Sequence, residues 1–176
     1  RSLMTSIDQG VVPIANIDAN YRTCRFSGLR IESNAEILIK VNAIAAVIFL
    51  LLGGLMGLGV ALTRWPAIQL LPAEWFYLVL TGHGANVLIF WIIFFEIAVL
   101  YFASAVLLGA RLAAPKIAWL AFVLMVIGAV MANYAVLRGD STVMFTSYPP
   151  MMASHWFCLS LITFAVGALL AVIIFF

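Results

Sequence analysis

Four long apolar runs are the feature that most restricts what this chain can fold into. Each run has at least ~20 residues, and a helix of that length crosses the ~30 Å hydrocarbon layer of a bilayer. The chain is 66% hydrophobic and 9% charged, whereas an ordinary soluble domain has about 45–50% apolar and about 25% charged residues. The sequence therefore predicts an all-α, polytopic transmembrane bundle with four spans, at about 41–63, 76–108, 117–137 and 153–176.

The polar segments between the runs predict the orientation of the chain. Residues 1–40 and the turn at 109–116 fall on the same side of a four-span protein, and they contain seven of the nine basic residues. The other side contains only Arg64 and Arg138. Because Lys and Arg favour the cytoplasmic side, residues 1–40 are predicted to form a cytoplasmic N-terminal segment.

Both ends of the sequence are typical of a piece of a longer membrane protein. The chain opens on Arg1 and not on Met, and it closes on the apolar stretch ALLAVIIFF without a charged flank. We therefore expect further residues beyond Phe176, among which catalytic residues could lie.

One histidine in the second run, within LVLTGHGANVLIF, is the main candidate for chemistry. His83 lies between Gly82 and Gly84, about 10 Å from the nearer end of the run. A histidine in a span can hydrogen-bond to a neighbouring helix or line a water-filled cavity, but neutral imidazole is also the common axial ligand of heme iron. Flanking glycines would let a heme edge approach the backbone. Asn86, Val87 and Phe90 share the face of His83, and the apolar and aromatic residues there would wall a porphyrin.

Four stretches together resemble subunit I of the heme–copper oxidase superfamily. YLVLTGHGANVLIFWIIF is similar to its second span, in which the histidine of an HG pair binds the low-spin heme. GGLMGLGVALTRW resembles the glycine-rich first span that ends in Arg, and GARLAAPK resembles the turn after the second span. STVMFTSYPPMMASHWFCLSL resembles the outer loop and the start of the fourth span. The resemblance covers about residues 36–176.

The resemblance implies a fold, an activity and cofactors. The chain would be the N-terminal part of a catalytic subunit with about twelve spans, in a bacterial or archaeal cytoplasmic membrane. His83 would ligate the low-spin heme iron, and Arg64 and Tyr148 would contact heme substituents. Electrons would pass from this heme to a second heme and a copper ion, where oxygen is reduced with uptake of protons. The ligands of that centre would all fall after Phe176, so no catalytic residue is expected in this chain.

The same resemblance implies the partners. They are membrane lipid, other subunits of a respiratory complex and cytochrome c or a similar electron donor, with no nucleic acid among them.

Two departures from the family pattern bear on the subtype. Leu112 occupies the place of an aspartate that opens a proton channel in A-type members, and Phe145 stands where a Trp usually precedes the Thr-x-Tyr-Pro-Pro motif. The missing acid, together with the short loop before His155, favours a B-type oxidase or a nitric oxide reductase of the same superfamily.

Other residues in the spans and loops keep alternative interpretations. Glu96 lies thirteen residues inward of the candidate ligand, and it is either a structural acid bonded to a neighbouring helix or a proton relay. Arg64 either extends to the lipid headgroups or binds heme substituents. Tyr148 either supports its loop or contacts heme propionates. Gly53 and Gly57 form a G-x-x-x-G pattern, which predicts close helix packing without chemistry.

Two functions from other classes stay open at this point. His155 lies near the outer end of the fourth span, at a depth similar to that of His83. These two histidines could form a complete bis-histidine site in a four-helix cytochrome b that only carries electrons. The chain could also be an accessory membrane subunit without redox activity.

Overall fold

The computed structural model describes residues 21–23, 28–142 and 152–175. Its four long helices, in chain order, are α1 (Ser33–Arg64), α2 (Ala73–Leu107), α3 (Pro115–Leu137) and α4 (His155–Phe175). All four are long and apolar enough to cross a membrane, so the prediction of an all-α bundle with four spans is confirmed. A short antiparallel strand pair, β1 (Tyr21–Thr23) and β2 (Arg30–Glu32), precedes α1.

The helices pack as successive antiparallel neighbours. Along α1, Gly57 lies beside His83 of α2, and Gly53 lies beside Val87, so the residue numbers rise on one helix as they fall on the other. The bundle therefore has two ends. We call the end where α1 begins, next to the strand pair, the hairpin end, and the end where α4 begins at His155 the histidine end.

Helix α1 begins at Ser33, eight residues before the predicted first span. Its first two turns mix polar and apolar residues, and Glu36 forms ion pairs with Lys40, one turn along the helix, and with Arg22. Ion pairs between residues i and i+4 stabilise a helix in water. The apolar run that predicts the membrane span does not reveal this part of the helix. At the other end, Trp65 is extended because it precedes Pro66, and a residue before proline avoids the helical conformation.

Helix α2 is continuous but contains two π-helical stretches, at Asn86–Phe90 and Ala103–Leu107. It begins after Pro72, whose carbonyl oxygen accepts hydrogen bonds from Trp75 and Phe76. At 35 residues it is about 52 Å long and exceeds the thickness of the hydrocarbon layer. The first π-helical stretch begins three residues after His83.

Helices α3 and α4 form a tightly packed pair. A Cβ atom added at Gly128 of α3 would lie 2.6 Å from the backbone nitrogen of Phe164, and one at Gly167 of α4 would lie 2.8 Å from the carbonyl oxygen of Ala121. Small residues are the usual means by which helix backbones approach in membranes. Ser154 caps α4, since its Oγ accepts the backbone N–H of Phe157 at 3.2 Å.

An aromatic cluster joins the pair to the rest of the bundle. Phe49 of α1 stacks on Phe94 of α2 with ring centroids 5.5 Å apart, and Phe90 meets Phe164 of α4 edge-on at 4.8 Å. All four rings are buried. This cluster fixes the angular position of α2 at about the middle of the bundle.

The strand pair covers the turn between α2 and α3 at the hairpin end, a feature that the sequence did not predict. The backbone nitrogen of Leu112 donates to Oε2 of Glu32 at 3.3 Å, and Arg111 donates from Nε to the hydroxyl of Tyr21 at 3.0 Å. The turn that contains Leu112 is therefore held by a carboxylate from β2.

Candidate functional site

His83 lies in the first third of α2 and is half-buried against α1. Its Nδ1 is 2.8 Å from the carbonyl oxygen of Gly53. Because a carbonyl oxygen can only accept, Nδ1 carries the hydrogen of this bond. In the neutral imidazole the other nitrogen, Nε2, then has a free lone pair. Metal-binding histidines commonly have this arrangement, with the second nitrogen donating to a backbone carbonyl.

Two glycines of α1 form the surface on which His83 rests. A Cβ atom added at Gly57 would lie 2.8 Å from both Cε1 and Nδ1 of the imidazole, and one at Gly53 would lie 2.6 Å from Cγ2 of Val87. The prediction of close helix packing from the G-x-x-x-G pattern is confirmed. Sequence reasoning missed that these glycines also contact the candidate ligand. By contrast, a Cβ atom at neighbouring Gly54 would have no neighbour within 4 Å.

A pair of buried asparagines lies one turn from His83 on the side of α3. Nδ2 of Asn86 donates to Oδ1 of Asn133 at 2.7 Å, and Nδ2 of Asn133 donates back to Oδ1 of Asn86 at 3.1 Å. Both side chains are buried. Asn133 was also missed from the sequence, although a single amide within the apolar run GAVMANYAVL is a signal that could have found it.

The expectation that Phe90 walls a porphyrin beside His83 is wrong. Asn86 is fully buried against α3, and Phe90 is fully buried between Phe49 and Phe164. Both therefore face the interior of the bundle. Neither presents a free surface to a porphyrin.

Arg64, the last residue of α1, lies closer to the histidine end of the bundle than His83 does. Its guanidinium carbon is 5.5 Å from the ring centroid of Phe76. Arg64 is seven residues from Gly57 on α1, and Phe76 is seven residues from His83 on α2. Seven residues return to the same helix face, so the Arg64–Phe76 contact is about 10 Å beyond the Gly57–His83 contact.

The other sequence-predicted residues lie apart from this site. Glu96 is exposed on α2, beside exposed Phe95, and so faces away from the three other helices. His155 is the exposed first residue of α4, and no hydrogen bond joins it to His83 in the part of the chain that is described. Tyr148 lies outside the described residues. Within those same residues, no three His, Cys, Asp or Glu side chains form a group that could hold a metal ion.

Comparison with known proteins assigns the chain to a family. Residues 37–176, which include most of α1 and all of the other three helices, match the model of the family described as Cytochrome C and Quinol oxidase polypeptide I. The chain belongs to this family. Neither the curated proteins nor the solved structures gave a match.

As a member of the cytochrome c and quinol oxidase polypeptide I family, the chain is part of an integral membrane oxidoreductase of the heme–copper oxidase type. The resemblance drawn from the four sequence stretches is thus confirmed. Members of the family typically bind heme and copper. Membership favours a subunit of the heme–copper oxidase superfamily over the self-contained cytochrome b and the accessory subunit that the sequence alone left open.

Proposed function

We propose that the chain is the N-terminal part of the catalytic subunit of a heme–copper terminal oxidase. In this proposal it carries electrons through a low-spin heme at His83, on their way to oxygen, with uptake of protons. Two findings support the proposal: the family match across 37–176 and the geometry of His83. The observation that carries the role of His83 is its hydrogen bond to Gly53, which leaves Nε2 available to iron.

The residues around His83 fit a histidine that would hold heme iron. The carbonyl oxygen of Gly53 keeps the hydrogen on Nδ1 of the imidazole, and Gly57 leaves room for the ring where any larger residue would collide with it. Arg64, about 10 Å further toward the histidine end, would hold an acidic or polar heme substituent at the membrane surface. Tyr148 would do the same from the loop that follows α3. A bound heme supplies the one-electron redox couple.

A nitric oxide reductase is the second candidate, favoured by Leu112 in the turn at the hairpin end. The test is gas consumption by the purified full-length enzyme with reduced cytochrome c as donor. We expect sustained consumption of oxygen and little of nitric oxide. The opposite result would replace the oxidase by the reductase within the same superfamily.

The proposed environment is a bacterial or archaeal cytoplasmic membrane, with lipid around the four helices and other respiratory subunits beside them. A cytochrome c or a similar protein would be the electron donor. The second heme and the copper would be bound by residues outside this chain.

The basic residues predict the orientation in that membrane. A reporter fused after Arg111, at the hairpin end, is expected to be cytoplasmic, and one fused after Asp140, at the histidine end, is expected to be external. The reason is the concentration of Lys and Arg at the hairpin end. Reporter activity on the two sides measures this directly, and the reverse pattern would place His83 near the inner surface.

Glu96 is proposed as a proton relay. The residue is exposed on the four-helix unit, and a carboxylate within the hydrocarbon layer costs about 2.5–3.5 kcal/mol unless it meets protein or water. Glu96→Gln in the full enzyme is expected to slow turnover at least severalfold and to leave the heme spectrum unchanged. Glu74→Gln, at an exposed glutamate in the first turn of the same helix, is the matched control. Full activity of Glu96→Gln would give Glu96 a structural role.

A further inference from the structure

The turn of α2 that carries His83 is held on two sides. On one side, the imidazole of His83 packs against Gly57 of α1 and donates a hydrogen bond from Nδ1 to the carbonyl oxygen of Gly53. On the other side, Asn86 bonds to Asn133 of α3. We infer that Asn86 and Asn133 are positioning residues that fix the direction of the His83 imidazole, an inference that rests on the proposed heme-binding role of His83.

The hydrogen bonds connect the asparagine pair to the backbone beside His83. Besides its bonds to Asn133, Nδ2 of Asn86 lies 2.7 Å from the carbonyl oxygen of Gly82, the residue before the histidine. Asn133 in turn donates to the carbonyl oxygen of Ala129 at 2.9 Å. A change in the pair is therefore transmitted to the backbone turn 82–86 and, through it, to His83.

The backbone of this turn has little freedom to move in response. A Cβ atom at Gly82 would lie 2.7 Å from the sulfur of Met56 on α1 and 3.4 Å from Cγ1 of Val136 on α3. Gly82 thus lies between the two neighbouring helices. With both sides in contact, the asparagine pair sets the rotation of α2 at the level of His83.

The first π-helical stretch begins at Asn86 itself. A π-helical turn holds an extra residue compared with an α-helical turn, and such turns are frequent at functional sites. The stretch changes the angular position of every later residue of α2 relative to His83. The Asn86–Asn133 hydrogen bonds lie where this angular change begins. They therefore link the direction of the His83 imidazole to the packing of the part of α2 that runs toward the hairpin end.

A contribution to stability alone does not explain why two amide side chains, those of Asn86 and Asn133, are buried at this position. Hydrogen bonds between helices in a membrane contribute modestly, because the alternative states also find partners. Replacing both members of a bonded pair by apolar groups of similar shape can be nearly neutral, whereas replacing one leaves a buried group unsatisfied. A single and a double substitution therefore separate a positioning role from a purely structural one.

The experiment compares Asn133→Leu with the double variant Asn86→Leu/Asn133→Leu in the full-length enzyme. The readouts are the electron paramagnetic resonance g values and the midpoint potential of the low-spin heme, both of which depend on the direction of the axial imidazole. We expect both readouts to shift in both variants, with heme content lower in the single variant and restored in the double one. If the single variant does not fold, the g values and the midpoint potential of the double variant alone test the inference.

Asn42→Leu is the matched control. Asn42 is buried in α1 and donates to Leu38 of its own helix at 2.8 Å, while its Oδ1 has no hydrogen-bond partner among the described residues. We expect its removal to leave the g values and the potential unchanged.

Two results would overturn the inference. They are wild-type g values in the double variant, whether or not the single variant is shifted, and an equal shift in Asn42→Leu. A failure of the proposed function is a separate outcome. It would appear as a low-spin signal that persists when His83 itself is replaced, whatever the asparagine variants show.

Discussion

Replacing His83 by alanine in the full-length enzyme is expected to abolish the low-spin heme spectrum. A low-spin heme needs two strong-field axial ligands, and the loss of one imidazole either releases the heme or leaves it high-spin. The hydrogen bond from Nδ1 to the carbonyl oxygen of Gly53 would also be lost with the side chain. Losing this bond affects the heme much less than losing the imidazole ligand does. Reduced-minus-oxidised difference spectra and heme extraction measure the result.

His155→Ala is the control for this experiment. His155 is the other histidine of the chain, and it is exposed at the start of α4. Loss of an exposed polar side chain changes stability by no more than ~0.5 kcal/mol as a rule, so the spectrum is expected to remain intact. Equal loss of the spectrum in both variants would instead favour the bis-histidine cytochrome and would contradict the oxidase proposal.

Gly57→Ala is expected to disturb the low-spin heme without removing its ligand. The added carbon would lie 2.8 Å from Cε1 and Nδ1 of His83, closer than carbon atoms approach in folded proteins. The ring must move away, and the hydrogen bond between Nδ1 and Gly53 is then weakened or lost. Overpacking of this kind costs about 1–3 kcal/mol, and a lost hydrogen bond costs about 0.5–1.5 kcal/mol. We expect a lower heme content and a shifted low-spin absorption band.

Gly54→Ala provides a closely matched control, three residues away on the same helix. The chemical change is identical, and both substitutions gain the same helix propensity, ~1 kcal/mol in water. The added carbon at Gly54 meets nothing within 4 Å, so heme content and absorption should stay as in the wild type. Identical behaviour of the two variants would show that the close approach of Gly57 to His83 has no effect on the heme.

The sequence by itself determined the membrane class, the number of spans and the candidate ligand. Each of these follows from a one-dimensional property. A run of about twenty apolar residues is long enough to cross lipid wherever its neighbours are, and a histidine inside such a run is costly enough to indicate function. The family resemblance was likewise carried by short stretches in a fixed order, and the match over 37–176 confirmed it.

The sequence predicted less well where helices begin and end outside the apolar runs. The first two turns of α1 precede the apolar run and were assigned to an extramembrane segment, yet they are helical and contain the Glu36–Lys40 ion pair. The strand pair β1–β2 was not anticipated. Each strand has only three residues, too few for an alternating pattern to be recognised.

Only the tertiary structure decided which way each helix faces. Almost every position in the spans is apolar, so no polar stripe separates a lipid-facing side from a packed side, and hydrophobic periodicity loses its information. That is why Phe90 was expected beside a porphyrin but lies in the aromatic cluster, and why the partner of Asn86 was missed. The π-helical stretch at Asn86–Phe90 adds a second reason. It changes the number of residues per turn, so angles counted at 100° per residue from His83 no longer hold at Glu96. The approach of Gly57 to the imidazole likewise depends on contact between two helices, and contact between helices is not encoded in the spacing of either one.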